Sequence, residues 1–301
     1  MNAEAVREPR SLKNGNCWVC GGRRLTLRKP ANYPRPLHSS AFTITDTHYG
    51  VTAAIYECAD CGFLQCADLD DVTHFYEELE DEAYEAGRAQ RRLQLRKVLE
   101  RVRRYQPDGR LLDIGAASGI LIAEAQHMGY QAEGLEPSRW LQRKAAERSV
   151  PVHEGTFPNP SGGPFDVVTL VDVIEHITEP LRLLRAVRLV LAPHGVLVVV
   201  TPDVHSLAAR VLGWHWWHFR VAHVGYFDRS TLELAAHRSG FIPVDFHRPG
   251  WFFSGDYLWD RAWKLLRLSG PRAPAVLKSL TIPLKLRDSL LAIFKPTGPV
   301  E

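Results

Sequence analysis

The chain has no run of 18 apolar residues, so no segment has the length of a membrane-crossing helix. Its first ten residues, Met1 to Arg10, are polar and charged and lack the apolar stretch of a secretory signal. Neither sign of charge dominates: 37 Lys and Arg stand against 34 Asp and Glu, and a net charge of +3 does not by itself specify a polyanionic partner. Cysteine is scarce, at five residues, and with C-x-x-C pairs but no export signal the expected setting is a reducing cytoplasm. No internal repeat is visible beyond those paired knuckles. What is there is globular: 301 residues, 45% apolar and 24% charged, enough for one large domain with an appendage or for two domains.

The chain is organised around Leu111-Leu112-Asp113-Ile114-Gly115-Ala116-Ala117-Ser118-Gly119. Two apolar residues and an Asp lead into glycines, and Ile120 to Ala125 follows at helical spacing, which predicts a buried strand, a glycine turn and a helix. Gly115 is free to take a φ that other residues resist, Gly119 permits close backbone approach, and amides at the helix start are expected to face an adenosine-bearing cofactor. The pattern is D-x-G-x-x-x-G, not the G-x-G-x-x-G of dinucleotide folds. A second apolar strand, Tyr130 to Leu135, ends on Glu136 and Pro137, 17 residues beyond Gly119, the usual offset for an acid that binds ribose hydroxyls.

Two further segments complete the series. Pro164 to His176 (PFDVVTLVDVIEH) is an apolar strand ending on polar residues; Leu191 to Pro202 (LAPHGVLVVVTP) is a helix end, a Pro193-His194-Gly195 turn and an apolar strand. Over residues 90–295 these four motifs in order resemble the class I S-adenosylmethionine-dependent methyltransferases. The resemblance implies an α/β fold: a Rossmann-like seven-stranded sheet whose last strand, Arg287 to Lys295, is antiparallel. It also implies S-adenosylmethionine bound by Asp113, Gly115, Ala116, Ala117, Gly119, Glu136, Pro137, Thr156, Asp172 and Val173.

Cys17-x-x-Cys20-Gly and Cys58-x-x-Cys61-Gly are matching knuckles separated by 37 residues. Each offers two thiolates to one tetrahedral Zn²⁺, and together they form a closed structural site. Residues 1–68 are thus expected to be a small zinc-ribbon-like module containing a strand at Val51 to Glu57, with Cys66 a buried apolar residue outside the site. The module either covers the substrate entrance or, through Arg23, Arg24, Arg28 and Lys29, recognises RNA or a carrier protein. Residues 69–106 are expected to be a helical linker and cofactor lid. Acidic residues Asp68, Asp70, Asp71, Glu77, Glu78, Glu80, Asp81 and Glu82 surround Phe75, Tyr76 and Tyr84 there, and a basic amphipathic helix runs from Arg88 to Arg104. By resemblance, Tyr76 and Tyr84 are candidate pocket residues. Residues 107–301 form the cofactor-binding domain.

Methyl transfer is an in-line displacement at a sulfonium, so the protein positions the nucleophile and removes its proton. Asp172-x-x-Glu175-His176 lies at a strand's C-terminal end, where such sheets place ligands, and His223 sits in Val221 to Phe227. His223 and His176 are the candidate bases, with Glu175 beside them. Two competing readings attach to this cluster: Glu175 and His176 only hold loop geometry and contact the cofactor, or Asp172, Glu175, His176 and His223 gather a divalent metal, as in small-RNA 2′-hydroxyl and quinone-type O-methyltransferases. The N-terminal Cys₄ pattern is similar to that of sugar and polysaccharide methyltransferases. Where deoxysugar C-methyltransferases carry Glu-His before a Tyr, however, this chain has Ala222-His223. O-methylation of a sugar, nucleotide-sugar, glycan or similar metabolite is therefore expected over C-methylation. The alternative is RNA methylation with the zinc module as RNA holder; no Asn-Pro-Pro-Tyr motif or Pro-Cys loop supports it, and a nucleic-acid partner is not expected.

Three segments have open roles. Trp214-His215-Trp216-Trp217-His218-Phe219 could stack on an acceptor or pack a lid. Ser230 and Glu233 have capping-box spacing for a helix ending at Gly240. The stretch 251–284 reads as a helical insertion before the last strand, with a basic amphipathic helix from Trp251 to Leu268. It is a lid, a dimer contact or a peripheral membrane contact.

Overall fold

The computed structural model describes residues 15–34, 36–66, 72, 74–158, 162–266 and 268–298. The expectations for Asp68, Asp70 and Asp71 lie outside these residues. Strand β1 (Leu25–Lys29) pairs antiparallel with β2 (Ile55–Cys58), which pairs with β3 (Leu64–Gln65). The strand expected at Val51 to Glu57 is therefore confined to its second half. Short helices α1 (His74–Glu77) and α2 (Glu82–Ala86) lead into α3 (Arg88–Val102), close to the expected span.

The large sheet begins at β4 (Arg110–Ile114). Helix α4 (Ile120–His127), β5 (Gln131–Glu136), α5 (Arg139–Ala146), β6 (Val152–Glu154), β7 (Phe165–Val171), α6 (Pro180–Val190) and β8 (Leu191–Pro202) follow in alternation. Pro180 opens α6, where its missing N–H costs nothing. After α7 (Leu207–Leu212), β9 (Gly225–Tyr226), α8 (Arg229–His237) and β10 (Phe241–His247) come β11 (Trp251–Ser254), α9 (Gly255–Leu265), α10 (Ala275–Ser279), β12 (Thr281–Leu284) and β13 (Ser289–Pro296). The seven-stranded order is β10-β13-β8-β7-β4-β5-β6; β13 is antiparallel to both neighbours, as expected for the last strand.

Helices cover both faces of this sheet, which is why its strands read as unbroken apolar runs. Leu112, Val168 and Leu197 pack on the side of Leu184 and Val187 of α6 and Ala235 of α8. Their sequence neighbours Leu111, Val167 and Val198 pack on the other side, with Leu99 of α3 and Leu121 of α4.

Four local expectations are corrected. Pro193-His194-Gly195 is not a turn but part of β8, with a register shift against β7 between Phe165 and Val167. The capping box on α8 uses Asp228 and Thr231, not Ser230 and Glu233, because the carboxylate two residues earlier accepts from the Thr231 amide at 2.8 Å. The 251–284 insertion is not wholly helical: β11 and β12 pair as an antiparallel ribbon around α9 and α10. The N-terminal sheet is completed by β9, pairing with β3 and immediately following the His223 loop, so module and domain share one sheet.

Candidate active site

Strands β4, β5 and β7 end side by side, and most of the candidate residues lie at or just after those ends, with Thr156 beyond β6 and His223 in the loop before β9. Gly115 and Gly119 have φ of +75° and +71°, and Ala117 between them takes +48°, a conformation non-glycine residues adopt at a cost. The close approaches made by these glycines are to protein. A Cβ on Gly115 would lie 2.6 Å from Val173 Cγ2, and one on Gly119 would lie 2.5 Å from Val150 Cγ1. The turn's amides differ likewise from expectation: Gly115 and Ala116 N–H both donate to the Leu135 carbonyl (2.9 Å), not outward.

Glu136 closes the turn. Its Oε2 accepts from Ala117 N–H and its Oε1 from Ser138 N–H, each at 2.8 Å, and burial pushes its carboxyl up to about 7 against the lowering effect of those two amides. A carboxylate offers about four acceptor positions, so hydroxyl donors can still be accommodated. Asp113, one strand over, accepts from Thr169 Oγ1 at 2.6 Å and is raised by burial to about 7. Pro137 and Val173 are half-buried at their strand ends, and Thr156 is exposed beyond β6. Leu79 and Tyr84 lie across the turn, packed with Ala117, Ile120 and Trp140, and the Leu79 carbonyl accepts from Ser138 Oγ at 2.7 Å.

Past β7, Asp172 (φ +53°) is followed by the single turn Ile174–His176. Glu175, His176 and His223 bring one ligand atom each within 4.8 Å of one another; Asp172 is not in this group. Glu175 is 1% exposed; Oε2 accepts from Thr201 Oγ1 at 2.9 Å, while Oε1 is buried without a partner among the described residues. Burial, then the Asp172 charge, pushes Glu175 up to about 8. His176 has Nδ1 2.8 Å from the Ala222 carbonyl and 2.7 Å from Tyr76 Oη, and burial with the nearby Arg220 charge drives it down to about 3. His223 Nε2 accepts from Arg220 Nε at 3.2 Å, which places its proton on Nδ1, a buried atom without a partner among the described residues. Burial and Arg220 hold it well below the usual imidazole range. Nothing in the sequence pattern had singled out Arg220.

The indole cluster is mostly structural. Trp216 is fully buried and Trp217 Nε1 donates to Asp288 Oδ2 at 2.9 Å; Trp214, 37% exposed, packs on Phe219. The four knuckle sulfurs lie together as well. Cys17 and Cys61 Sγ are 3.6 Å apart and Cys20 and Cys58 Sγ 3.5 Å, near the roughly 3.8 Å edge of a tetrahedral zinc–sulfur site. Gly22 N–H points at Cys20 Sγ from 3.3 Å, and Cys66 is buried away from this cluster against the His223 carbonyl. No helix among the described residues is long and apolar enough to cross a membrane.

Adjacent parallel strand ends, a glycine turn and an acid on the next strand are the nucleoside-site arrangement of the α/β class. Residues 87–245 match the family described as a methyltransferase domain, and this chain belongs to that family, an S-adenosylmethionine-dependent enzyme class. Ubiquinone biosynthesis O-methyltransferase from Caulobacter sp. (strain K31) is 30% identical over 155 residues, covering 46% of this chain and 61% of the relative. The protein of the same name from Rhodopseudomonas palustris (strain HaA2) is 30% identical over 168 residues, covering 52% and 65%. The chain thus spans a little under two thirds of these relatives' length. Their name is a quinone-pathway one, not the sugar or polysaccharide one suggested by the cysteine pattern. A chain of the complex between the Haloferax volcanii Trm112 methyltransferase activator and its methyltransferase shares the fold, at 14% identity and TM-score 0.50 over 71% of this chain and 92% of that one.

Proposed function

We propose that the protein is an O-methyltransferase that moves the methyl group of S-adenosylmethionine onto a hydroxyl of a small acceptor bound over Glu175 and His223. The observation that carries this reading is the pair of buried polar atoms without a partner among the described residues, Glu175 Oε1 and His223 Nδ1, one strand end away from the Glu136-closed turn. The names of the relatives agree with O-methylation. They lend no support to the sugar or glycan acceptor expected from the sequence, so the acceptor class is kept at a hydroxylated small molecule. In this reading the ribose hydroxyls donate to Glu136, and Gly115 to Gly119, Pro137, Asp172 and Val173 line the cofactor's path.

Glu175 is the proposed base. A carboxyl raised to about 8 is matched to neutral proton transfer, whereas His176 is tied to Tyr76 and Ala222 and His223 has its lone pair on Arg220. The acceptor O–H proton passes to Glu175 Oε1 as its oxygen bonds to the methyl carbon. The S–C bond breaks, and the electron pair stays on sulfur as a neutral thioether. His223 Nδ1–H steadies the developing oxygen charge.

A divalent metal held by all four expected residues is not supported: Asp172 is outside the group, and the Arg220 guanidinium already occupies His223 Nε2. Glu175, His176 and His223 remain a two-imidazole, one-carboxylate set with donor atoms within 4.8 Å of one another. No step is routed through a metal here. The four cysteines do fit zinc: their spacing is tetrahedral and an amide faces a sulfur. Cys17, Cys20, Cys58 and Cys61 would hold it, and the ion would stabilise the sheet that ends in β9. The 251–284 insertion serves as a lid: Gln94 Nε2 donates to the Phe252 carbonyl and Arg261 reaches Tyr49 and Thr45. The test is incubation with methyl-labelled cofactor and separate panels of phenols, nucleotide-sugars, glycans and RNA. The reading expects label on a small hydroxylated acceptor; label on RNA alone would reverse it.

A further inference from the structure

Among the described residues, three arginines on different elements near the Glu175–His223 centre lack carboxylate partners. Arg220, half-buried in the loop before His223, spends Nη1 on the Ile44 carbonyl (2.8 Å) and Nε on His223. Arg261 of α9 donates to the Thr45 carbonyl (2.8 Å) and Tyr49 Oη (3.0 Å), and Arg91 of α3 lies over the Tyr84 ring at 4.1 Å; the Nε of each is buried without a partner among the described residues. Among the described residues, none of the three has a carboxylate oxygen within 4.0 Å, whereas on α3 itself Arg88 pairs with Glu85 and Arg92 with Glu124.

These side chains belong to one place. The segment from Thr43 to Tyr49 is gripped by Arg220 at one end and Arg261 at the other, and both charges act on Tyr49. Arg91 and Arg220 both act on Asp172. The carboxyls nearby are engaged by other donors: Asp81 accepts from the Thr45 amide and hydroxyl and from the Tyr84 amide, and Glu175 Oε2 accepts from Thr201 Oγ1. A half-buried guanidinium is costly to leave uncompensated, and Arg groups spaced around a crevice match phosphate or carboxylate oxygens.

We propose that the acceptor carries an anionic group, a phosphate or a carboxylate, and that Arg220, Arg261 and Arg91 hold it at the mouth of the crevice while its hydroxyl faces Glu175. This rests on the O-methyltransferase reading above and narrows its substrate class.

The experiment uses the full chain, zinc-loaded and saturated with S-adenosylhomocysteine, and matched probes with and without the anion: glucose 1-phosphate against glucose, and 3,4-dihydroxybenzoate against catechol. Binding is read by calorimetry and methyl uptake by label from S-adenosylmethionine. The anionic member of at least one pair is expected to bind ten-fold or more tighter than its neutral partner, and the pair that responds identifies phosphate or carboxylate. Arg220→Gln and Arg261→Gln should each erase most of that preference with S-adenosylhomocysteine affinity unchanged, and Arg220→Lys should restore part of it. Should Arg220→Gln fail to fold, Arg261→Gln and Arg91→Gln carry the same test. Neutral and anionic probes binding alike, or a preference indifferent to all three arginines, overturns the proposal. Anion binding that depends on the arginines with no methyl taken up by any probe would instead count against the O-methyltransferase reading alone.

Discussion

Replacing Glu136 by Gln tests the cofactor site at its most constrained point. Both carboxylate oxygens accept backbone amides, from Ala117 and Ser138, at 2.8 Å. A carboxamide has one acceptor oxygen, so its NH₂ must face one of those N–H groups, at a cost of about 1–3 kcal/mol. Set against this is a gain. Burial raises the Glu136 carboxyl from its ordinary range to about 7, which at ~1.36 kcal/mol per pKa unit corresponds to about 3 kcal/mol. The sign follows from linkage: the folded, ligand-free protein binds this proton more tightly than the unfolded chain does. The contribution is therefore fully present below about pH 4.5 and is lost as pH rises through about 7. Glu136→Gln should thus fold with near wild-type stability at pH 7–8, and its Tm should fall less than the wild type's between pH 5 and 8. Its affinity for S-adenosylmethionine should drop roughly 10- to 100-fold, about 1.4–2.8 kcal/mol, because ribose hydroxyls lose an ionised acceptor. Wild-type affinity should rise from pH 6 to pH 8 as ribose and sulfonium favour the charged carboxylate, and the variant's should not. Calorimetry at three pH values reads both effects. Equal affinity in variant and wild type, or an unchanged pH slope, would refute the assignment of Glu136.

Other expectations concern the rest of the site and its support. In the wild type, kcat/KM should rise with pH to a limb near 8, set by Glu175; Glu175→Gln should lose about 10²–10⁴ in kcat and the limb with it, with cofactor affinity kept. Stripping zinc with a chelator, or Cys17→Ser with Cys20→Ser, should lower Tm and also methyl transfer, because β3 pairs with β9 directly after His223; metal analysis should find one zinc per chain before treatment. Gly119→Ala should destabilise by about 1–3 kcal/mol in denaturant titration, from its φ of +71° and the Val150 clash. Asp228→Ala should cost about 1 kcal/mol through loss of the α8 cap.

The parts of this fold legible in the sequence are those set by local pattern. Leu111 to Ile114, Tyr130 to Leu135 and the apolar part of Pro164 to His176 read as strands because alternate residues feed opposite helical layers, leaving no polar face to confuse the pattern. The order of motifs gave the sheet and the likeness to methyltransferases. Tertiary pairing was hidden. Pro193 to Gly195 carries turn residues, yet β7 and β13 on either side draw β8 through it. Gly115 and Gly119 announce close approach, but not that the partners are Val173 and Val150 rather than a ligand. The knuckles marked Cys17, Cys20, Cys58 and Cys61 by spacing, whereas Gly225 and Tyr226, which extend their sheet, have no signature. Arg220, Arg261 and Arg91 are scattered over three elements, and their shared lack of carboxylates exists only in the folded chain.

The most direct test of the account is a crystal structure of the protein with S-adenosylhomocysteine. The ribose hydroxyls should lie on Glu136, the amino-acid portion across Gly115 to Ala117, and the thioether sulfur should open toward Glu175, with Leu79 and Tyr84 displaced or rearranged over the adenosine. Product bound away from Glu136, with Leu79 and Tyr84 still packed on Ala117, would contradict it.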